Sequence, residues 1–580
     1  MKRLKVHMAD LSKASFDEST QEIHQRLMVA RGITTKACLD HRLSSMPEPN
    51  KMKGMETAVE LLKEALASDQ RILILGDYDA DGATASALAV RALKAMGSSN
   101  VDFLVPNRFD YGYGLSPEIA EVALKFTPDL VITVDNGISS VEGVQALREQ
   151  DVRVIVTDHH LPGDRLPDAN AILNPNQNGC DFPSKNLAGV GVLFYLMIAL
   201  RRRLRELDWF EQNSITEPRL ESFLDLVALG TVADLVPMDR INRLLVTNGL
   251  KRIRSENGNP GIKSLFEIAG RNSAKAVSSD LGFVVGPRIN AAGRLDDISE
   301  GIRCLLADEA SIARELALNL HHTNIERRQI QAEMTGDAIN LIDDMLKVES
   351  NQLAWGLCVY QPNWHQGVVG LVASKLKENM HRPAIAFAKA NTDQADSSEL
   401  KGSARSIAGL HMRDLLDRIA TKHPGLIVKF GGHAMAAGLS LSETNYDTFA
   451  EVFDQEVHAA LSEDDFEAVI WSDGELGAEH LSLEFARSLS QLLPWGQALS
   501  EPIFHGRFRI QSMRWLKETH LKLVLILEEE ERVLNAIWFS AIPSSECVEN
   551  ATVQLAYRLS VNEYRGQESL QLMIVDEVSV

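Results

Sequence analysis

Short apolar runs alternate with segments of helical period along the first part of the chain. Residues 55–69 (METAVELLKEALASD) have the i, i+3, i+4 spacing of a half-buried helix. RILILG (71–76) is an unbroken apolar run, as expected of a parallel strand buried on both faces. GATASALAVRALKAMG (82–97) predicts a helix of small residues. The strand-like runs VDFLVP (101–106), DLVITVD (129–135) and VRVIVTD (152–158) follow, separated by helical patterns at 116–126 and 140–150. Strands spaced by helices of this length predict a doubly wound parallel sheet with right-handed crossovers.

Beyond residue 180 the pattern changes. LAGVGVLFYLMIALRRRLREL (187–207) and LESFLDLVALGTVADLVP (220–237) read as buried helices, and 305–348 reads as a long, charge-rich helical connector. A second α/β block begins at WGLCVYQP (355–362) and runs to about 460. The last segment carries strand alternation in FRIQSMRWLKETHLKLVLILEE (508–529) and VQLAYRLSVNEYRG (553–566), which predicts a small β-barrel. The expected division is an N-terminal segment (1–50), a parallel-sheet domain (51–304), a helical connector (305–349), a second α/β domain (350–463) and a β domain (464–580). Repeats and low-complexity tracts are absent from the sequence.

Composition adds bounds. The chain has 580 residues, 45% hydrophobic and 24% charged, which suits several globular domains. It contains no apolar run of about 18 residues and no signal-peptide stretch, so no membrane span is expected. Cys38, Cys180, Cys304, Cys358 and Cys547 are scattered and form no C-x-x-C pair, which disfavours a disulfide framework or structural zinc and fits a reducing cytoplasm. A net charge of −21 argues against a protein that coats duplex DNA by general electrostatics. A narrow basic groove on an acidic body remains compatible with that charge.

The chemistry concentrates in GDYDADG (76–82), where Asp77, Asp79 and Asp81 alternate. The run matches the first half of an EF-hand loop, but position 12 of that loop falls on Leu88 and a strand precedes it where a helix is required. Ligands of open α/β sheets gather at the C-terminal ends of strands. The three aspartates follow one such end, Asp135 closes VITVD, and Asp158, His159 and His160 close VIVTD. Singly, each residue reads as a turn or cap residue. Together, five carboxylates and two imidazoles on one rim would repel unless cations sit among them. Oxygen-rich ligands without thiolates favour Mn²⁺ or Mg²⁺. This many ligands suggests two ions about 3.5–4 Å apart, sharing one aspartate and suited to hydrolysis at phosphorus.

The series DYDADG, VDNG, TDHH and GTVADLVP resembles the motifs of the DHH phosphoesterase superfamily, and within it the bacterial RecJ family of single-stranded-DNA exonucleases. The resemblance extends through VPNRFDYGYGLSPE (105–118), LAGVGV (187–192), GPRINAAGRLDD (286–297), WHQGVVGLVASKLKE (364–378), KGSARSI (401–407) and FGGHAMAAGLSL (430–441). It implies an α/β multi-domain fold. In that fold a parallel-sheet DHH domain is joined by a long helix to a DHH-associated (DHHA1) α/β domain, with a C-terminal OB-like β-barrel. By the same resemblance Asp79, Asp81, Asp135, His159 and Asp234 are metal ligands, with Asp135 the bridge and Asp77 a further first-site residue. His160 is expected to face the scissile phosphate or support the ligands, and Asp158 to orient an imidazole. On spacing alone, Asp234 reads as a turn residue.

The resemblance also places DNA contacts. Arg405, Ser406, Gly432 and His433 are candidates for phosphate contacts from the second α/β domain, and Arg288, Asn290 and Arg294 for a backbone-gripping loop. Arg108 and Tyr113 are candidates for holding the 5′ end and stacking a base. Trp515, Tyr557 and Tyr564 are candidate stacking platforms of the barrel. The expected activity is processive 5′ to 3′ hydrolysis of single-stranded DNA to mononucleotides in repair and recombination. The expected partners are a single-strand-binding protein and a helicase, with the chain a monomer. The competing readings are a small-molecule phosphohydrolase of the same superfamily (a pyrophosphatase or nucleotide phosphatase) and a catalytically inactive replication scaffold.

Overall fold

The structure, a computed structural model, describes residues 2–17, 20–106, 114–348, 353–390, 398–527 and 531–579. Arg108 and Tyr113 lie outside the described residues. The chain forms two compact units. One comprises Met1–Lys5, Ile325–Trp471 and Val578–Val580, and the other Val6–Asn324 and Ser472–Glu577.

The larger unit is built on a five-stranded sheet in which every pairing is parallel. In spatial order its strands are Val101–Leu104, Ile72–Gly76, Leu130–Val134, Arg153–Thr157 and Ala171–Leu173. The first strand in the chain therefore lies between the second and the third. At that point the connections turn to opposite sides, which opens a crevice at the strands' C-terminal ends. Strands Ile72–Gly76 and Leu130–Val134 are buried throughout, as their unbroken apolar runs require. The short strand Ala171–Leu173 was not anticipated, because three residues between polar loops carry no period.

Helix Ala80–Ala95 buries thirteen of its sixteen residues. Its alanines, with Thr84 and Ser86, let helices Gly189–Glu206 and Leu224–Ala233 pack closely against it. It starts two residues earlier than its periodicity suggested. Asp79 caps it, accepting from the backbone N–H groups of Asp81 (2.9 Å) and Gly82 (3.0 Å), a contact worth about 1 kcal/mol.

The same unit contains a closed five-stranded barrel. Phe504–Leu516 pairs with His520–Leu527, which pairs with Arg532–Trp538. The latter runs parallel to Gln567–Ser579, and Thr552–Tyr564 closes the ring by pairing with both that strand and the first. Of the three candidate platforms, Trp515 and Tyr564 are 46% and 66% exposed, whereas Tyr557 is 1% exposed. Tyr557 packs against Phe504 and Phe508 in the barrel core, so it offers no stacking surface.

The other unit holds a mixed five-stranded sheet of Leu357–Tyr360, Ala384–Lys389, Glu399–Arg405, Ala436–Ser442 and Lys429–Gly432. Only its first pair is parallel. The expected connector appears as one helix, Ala310–Val348. Among the described residues no helix is long and apolar enough to cross a membrane, and all five cysteines are free.

Within the larger unit, Arg31 ties the N-terminal region to the segment entering the barrel. Its guanidinium meets Asp473 in two parallel contacts of 2.8 and 2.9 Å, with both side chains almost fully buried. Removing one partner strands the other charge away from water. Arg31→Met is expected to lower the stability of this unit by about 3–5 kcal/mol. Denaturant unfolding followed by tryptophan fluorescence measures it, and an unchanged midpoint would refute the tie.

Candidate metal centre

Three adjacent strands deliver side chains to one rim at the switch point. Asp77, Asp79 and Asp81 follow Ile72–Gly76, Asp135 follows Leu130–Val134, and Asp158, His159 and His160 follow Arg153–Thr157. Asp234 enters at the C-terminal end of helix Leu224–Ala233. Ligand atoms of Asp77, Asp79 and Asp135 lie within 4.8 Å of one another, as do those of Asp135, His159 and His160, and those of Asp81, His159 and Asp234. Asp135 thus belongs to two of the three groups, and so does His159.

Each position is set by local chemistry. Asp81 is fully buried, and its two oxygens accept from the N–H groups of Gly189 (2.6 Å) and Val190 (3.0 Å) at the start of helix Gly189–Glu206. A helix N-terminus is a favourable place for an anion. Asp135 adopts φ +63°, a left-handed conformation costly for a non-glycine residue. Gly189 makes room for it, since a Cβ there would stand 2.6 Å from both Cβ and Oδ1 of Asp135.

His159 Nε2 is buried 3.1 Å from Asp135 Oδ1 and 3.4 Å from Asp234 Oδ2, in an alignment that makes no hydrogen bond. Burial and the neighbouring His160 charge press its pKa down to about 4, against a backbone bond to Leu187. The ring is therefore neutral. With Nε2 unbonded, the Leu187 contact falls to Nδ1, and the Nε2 lone pair faces the carboxylates.

His160 is a different case. Burial pulls its pKa down, but the 2.8 Å bond from Nδ1 to Asp158 Oδ1 outweighs burial and raises it to about 9. Asp158 mirrors this. Burial opposes ionisation, yet His160 and the backbone N–H groups of His160 and Ile138 hold its pKa below the usual range. The imidazole that Asp158 orients is thus His160, not His159.

Three other carboxylates, Asp81, Asp135 and Asp234, are under strain. Burial, then the Asp79 charge, push Asp81 up to about 7. Burial followed by the charges of Asp81 and Asp79 holds both Asp135 and Asp234 well above the ordinary range. A neutral lone pair aimed at carboxylates that resist ionisation is a donor set that fits divalent cations. Carboxylate oxygens with one or two imidazole nitrogens and no thiolate suit Mn²⁺ or Mg²⁺.

The other candidate residues fall differently. Asn290 Oδ1 accepts from the N–H of Ala80 (2.7 Å), inside the aspartate loop, and so is committed to the protein. Arg288 donates to Val284 O and His321 Nδ1, while Arg294 is half-buried on the same helix, Gly286–Leu295. Arg405 is held by Ser374 Oγ (3.1 Å), Ser403 Oγ (3.0 Å) and Ala404 O (2.8 Å), and burial lowers its pKa. Ser406 is 1% exposed and donates its hydroxyl to Leu410 O (2.8 Å), so in this structure it has no surface to offer a phosphate. Gly432 ends a strand of a tight hairpin, and the His433 N–H donates to Ala436 O (2.8 Å) across it.

Sequence reasoning missed two supports. Asn174 and Asn176 donate from Nδ2 to the carbonyls of His160 (2.8 Å) and His159 (2.6 Å) and pin the histidine loop. The available signal was the Asn-Pro-Asn triplet at 174–176 just after the apolar AIL.

Family models match three stretches of the chain: the DHH family N-terminal domain at 71–231, the DHHA1 domain at 352–459 and the RecJ OB domain at 472–576. A single-stranded-DNA-specific exonuclease RecJ of Dickeya dadantii (strain 3937) is 49% identical over 567 residues, 97% of this chain and 97% of the relative. The chain belongs to the RecJ family. The Escherichia coli (strain K12) member is 48% identical over 552 residues, 95% of this chain and 94% of the relative. Among solved structures, RecJ from Thermus thermophilus in complex with Mn²⁺ matches with a TM-score of 0.78 at 28% identity, covering 100% of this chain and 80% of that one. A Mg²⁺ complex of the RecJ of the same organism matches with a TM-score of 0.73 at 27% identity, covering 100% and 78%. Both ions are those to which the oxygen-rich donor set of this RecJ-family chain is suited.

Two outcomes follow. The raised carboxyls bind protons in the folded, cation-free protein that the unfolded chain releases near pH 4. Their stabilising share is complete below that pH and is lost as pH rises through about 7, the value for Asp81. The gain in Tm on adding Mn²⁺ is therefore expected to be larger near pH 8 than near pH 5, as read by differential scanning fluorimetry. Equal gains would contradict the cluster's electrostatics. Separately, Gly189→Ala is expected to weaken Mn²⁺ binding by at least about tenfold in calorimetry, because it displaces Asp135. Gly163→Ala, where a Cβ meets nothing within 4 Å, is the matched control and is expected to leave binding unchanged.

Proposed function

We propose that this chain is a metal-dependent exonuclease that hydrolyses single-stranded DNA from the 5′ end to mononucleotides, in repair and recombination. The observation that carries the proposal is the convergence of Asp77, Asp79, Asp81, Asp135, His159 and Asp234 at the switch point of a RecJ-family chain. These six residues would hold two Mn²⁺ or Mg²⁺ ions. Asp135, which belongs to two of the ligand groups, would serve both ions. When bound, such a pair supplies Lewis acidity and neutralises charge for in-line displacement at phosphorus.

The chain's own groups do the positioning. Backbone N–H groups of Gly189 and Val190 fix Asp81, and the left-handed turn at Asp135 aims its carboxylate inward. His159 stays neutral, so its Nε2 lone pair remains a ligand atom at working pH. Asp158 keeps His160 cationic beside the carboxylates, which favours an anionic phosphodiester there. Arg405 supports phosphate recognition from its own domain: it is a desolvated guanidinium whose partners given above are all neutral oxygens. Arg288, Arg294, Gly432 and His433 complete the proposed backbone contacts, and Trp515 and Tyr564 supply exposed aromatic surface on the barrel. The proposed setting is a cytoplasmic monomer working with a single-strand-binding protein and with a helicase that supplies unwound ends.

The test uses 5′-labelled and 3′-labelled single strands with Mn²⁺ or Mg²⁺. The wild type is expected to release labelled mononucleotide from the 5′ label first. Asp79→Ala and His159→Ala are each expected to lose more than the roughly 10–100-fold typical of changing a ligand's supporting residue. Release from the 3′ end would reverse the polarity, and faster turnover of pyrophosphate than of DNA would assign the site to a small-molecule substrate.

A further inference from the structure

The first four backbone N–H groups of an α-helix have no partner within the helix. At the start of helix Ala80–Ala95, whose N-cap is Asp79, two of them are served by the Asp79 side chain, and the helix ladder opens at the residue after. Asp81 and Gly82 donate to Asp79 Oδ1, and Ala83 donates to Asp79 O (2.9 Å). Ala80, the first residue of the helix, is 1% exposed, and its N–H is met from 210 residues away by Asn290 Oδ1 at 2.7 Å. Ala80 lies between Asp79 and Asp81, so this acceptor sets the turn on which both carboxylates stand.

The approach that makes this bond is itself built in. Asn290 lies on helix Gly286–Leu295, which packs against helix Ala80–Ala95. Gly293, one turn further on, has no side chain to hold the two apart, since a Cβ there would sit 2.0 Å from Tyr78 O. The carboxamide orientation is also determined. An N–H can only donate, so the oxygen faces Ala80 and the amide nitrogen points away from the loop.

We infer that Asn290 is a positioning residue of the metal centre, its carboxamide oxygen holding the Asp79–Asp81 turn in the geometry that binds divalent cations. The inference rests on the metal-site reading given above and concerns cation binding, not the identity of the nucleic-acid substrate. Asn290 acts through Asp79 and Asp81, as residues behind metal ligands do elsewhere.

The experiment is Mn²⁺ titration calorimetry on the full chain without DNA, for the wild type, Asn290→Ala and Asn290→Asp, with thermal unfolding of each cation-free protein. Asn290→Ala is expected to weaken Mn²⁺ binding on the order of 10–100-fold. Asn290→Asp keeps an acceptor of the same reach and is expected to restore binding to within a few-fold of wild type, or to tighten it. In steady-state assays at saturating Mn²⁺, Asn290→Ala is expected to recover most of kcat, which a general folding defect would not allow. Wild-type Mn²⁺ affinity in Asn290→Ala, or a folded Asn290→Asp that binds as weakly as Asn290→Ala, overturns the assignment. Parallel assays on single-stranded DNA separate the two readings. A wild type that binds Mn²⁺ but leaves DNA intact sinks the proposed function, while the calorimetric comparison still decides the role of Asn290.

Discussion

Like charge forced together at the edge of a sheet is the constraint from which the catalytic unit is built. Carboxylate oxygens of Asp77, Asp79 and Asp135 lie within 4.8 Å of one another, and a second group adds Asp81 and Asp234. At that separation each pair of charges repels by roughly 3–4 kcal/mol, even at the high effective dielectric appropriate to proteins. A hydrogen bond to a charged group returns only about 1.5–3 kcal/mol. Backbone donors therefore orient these side chains but cannot by themselves make the cluster comfortable. Cations complete the balance, and the surrounding fold keeps the ligands poised to receive them.

The parallel sheet accomplishes this through its strand order. Placing the first strand between the second and third brings three strand ends side by side, and the loops that leave them cannot avoid meeting. Helices then close in from behind. The start of Gly189–Glu206 grips Asp81, the end of Leu224–Ala233 delivers Asp234, and the small-residue face of Ala80–Ala95 lets both come near. Asp158 stands apart electrostatically: paired with His160 it stays ionised where Asp81, Asp135 and Asp234 resist ionisation. One rim thus carries a neutral imidazole and a cationic one side by side.

Much of this was legible beforehand, for physical reasons. Buried parallel strands must be apolar along their length, so RILILG and its successors announced the sheet, and the rule that ligands collect at strand ends pointed to Asp77, Asp79, Asp81, Asp135 and His159 as candidates, which the fold brings onto one rim. Asp234 was not legible from spacing, because it belongs to a helix end and its neighbours in the site come from elsewhere in the chain. The same limit hid Asn174 and Asn176, whose work is done on backbone carbonyls. It also misdirected the reading of Ser406 and Tyr557, both polar residues with good credentials for a ligand and both committed to the interior. Burial is a property of the folded whole, and no local pattern encodes it.

The bond between Ala80 and Asn290 spans 210 residues. During synthesis the aspartate loop emerges long before its partner exists. A nascent chain, or a fragment cut short of residue 290, would carry Asp77, Asp79, Asp81, Asp135, His159 and Asp234 and still lack the acceptor that settles the turn. The strand-end acids are thus an early part of the polypeptide whose geometry is finished late. Competence for a destructive reaction is thereby linked to completion of the domain that houses it.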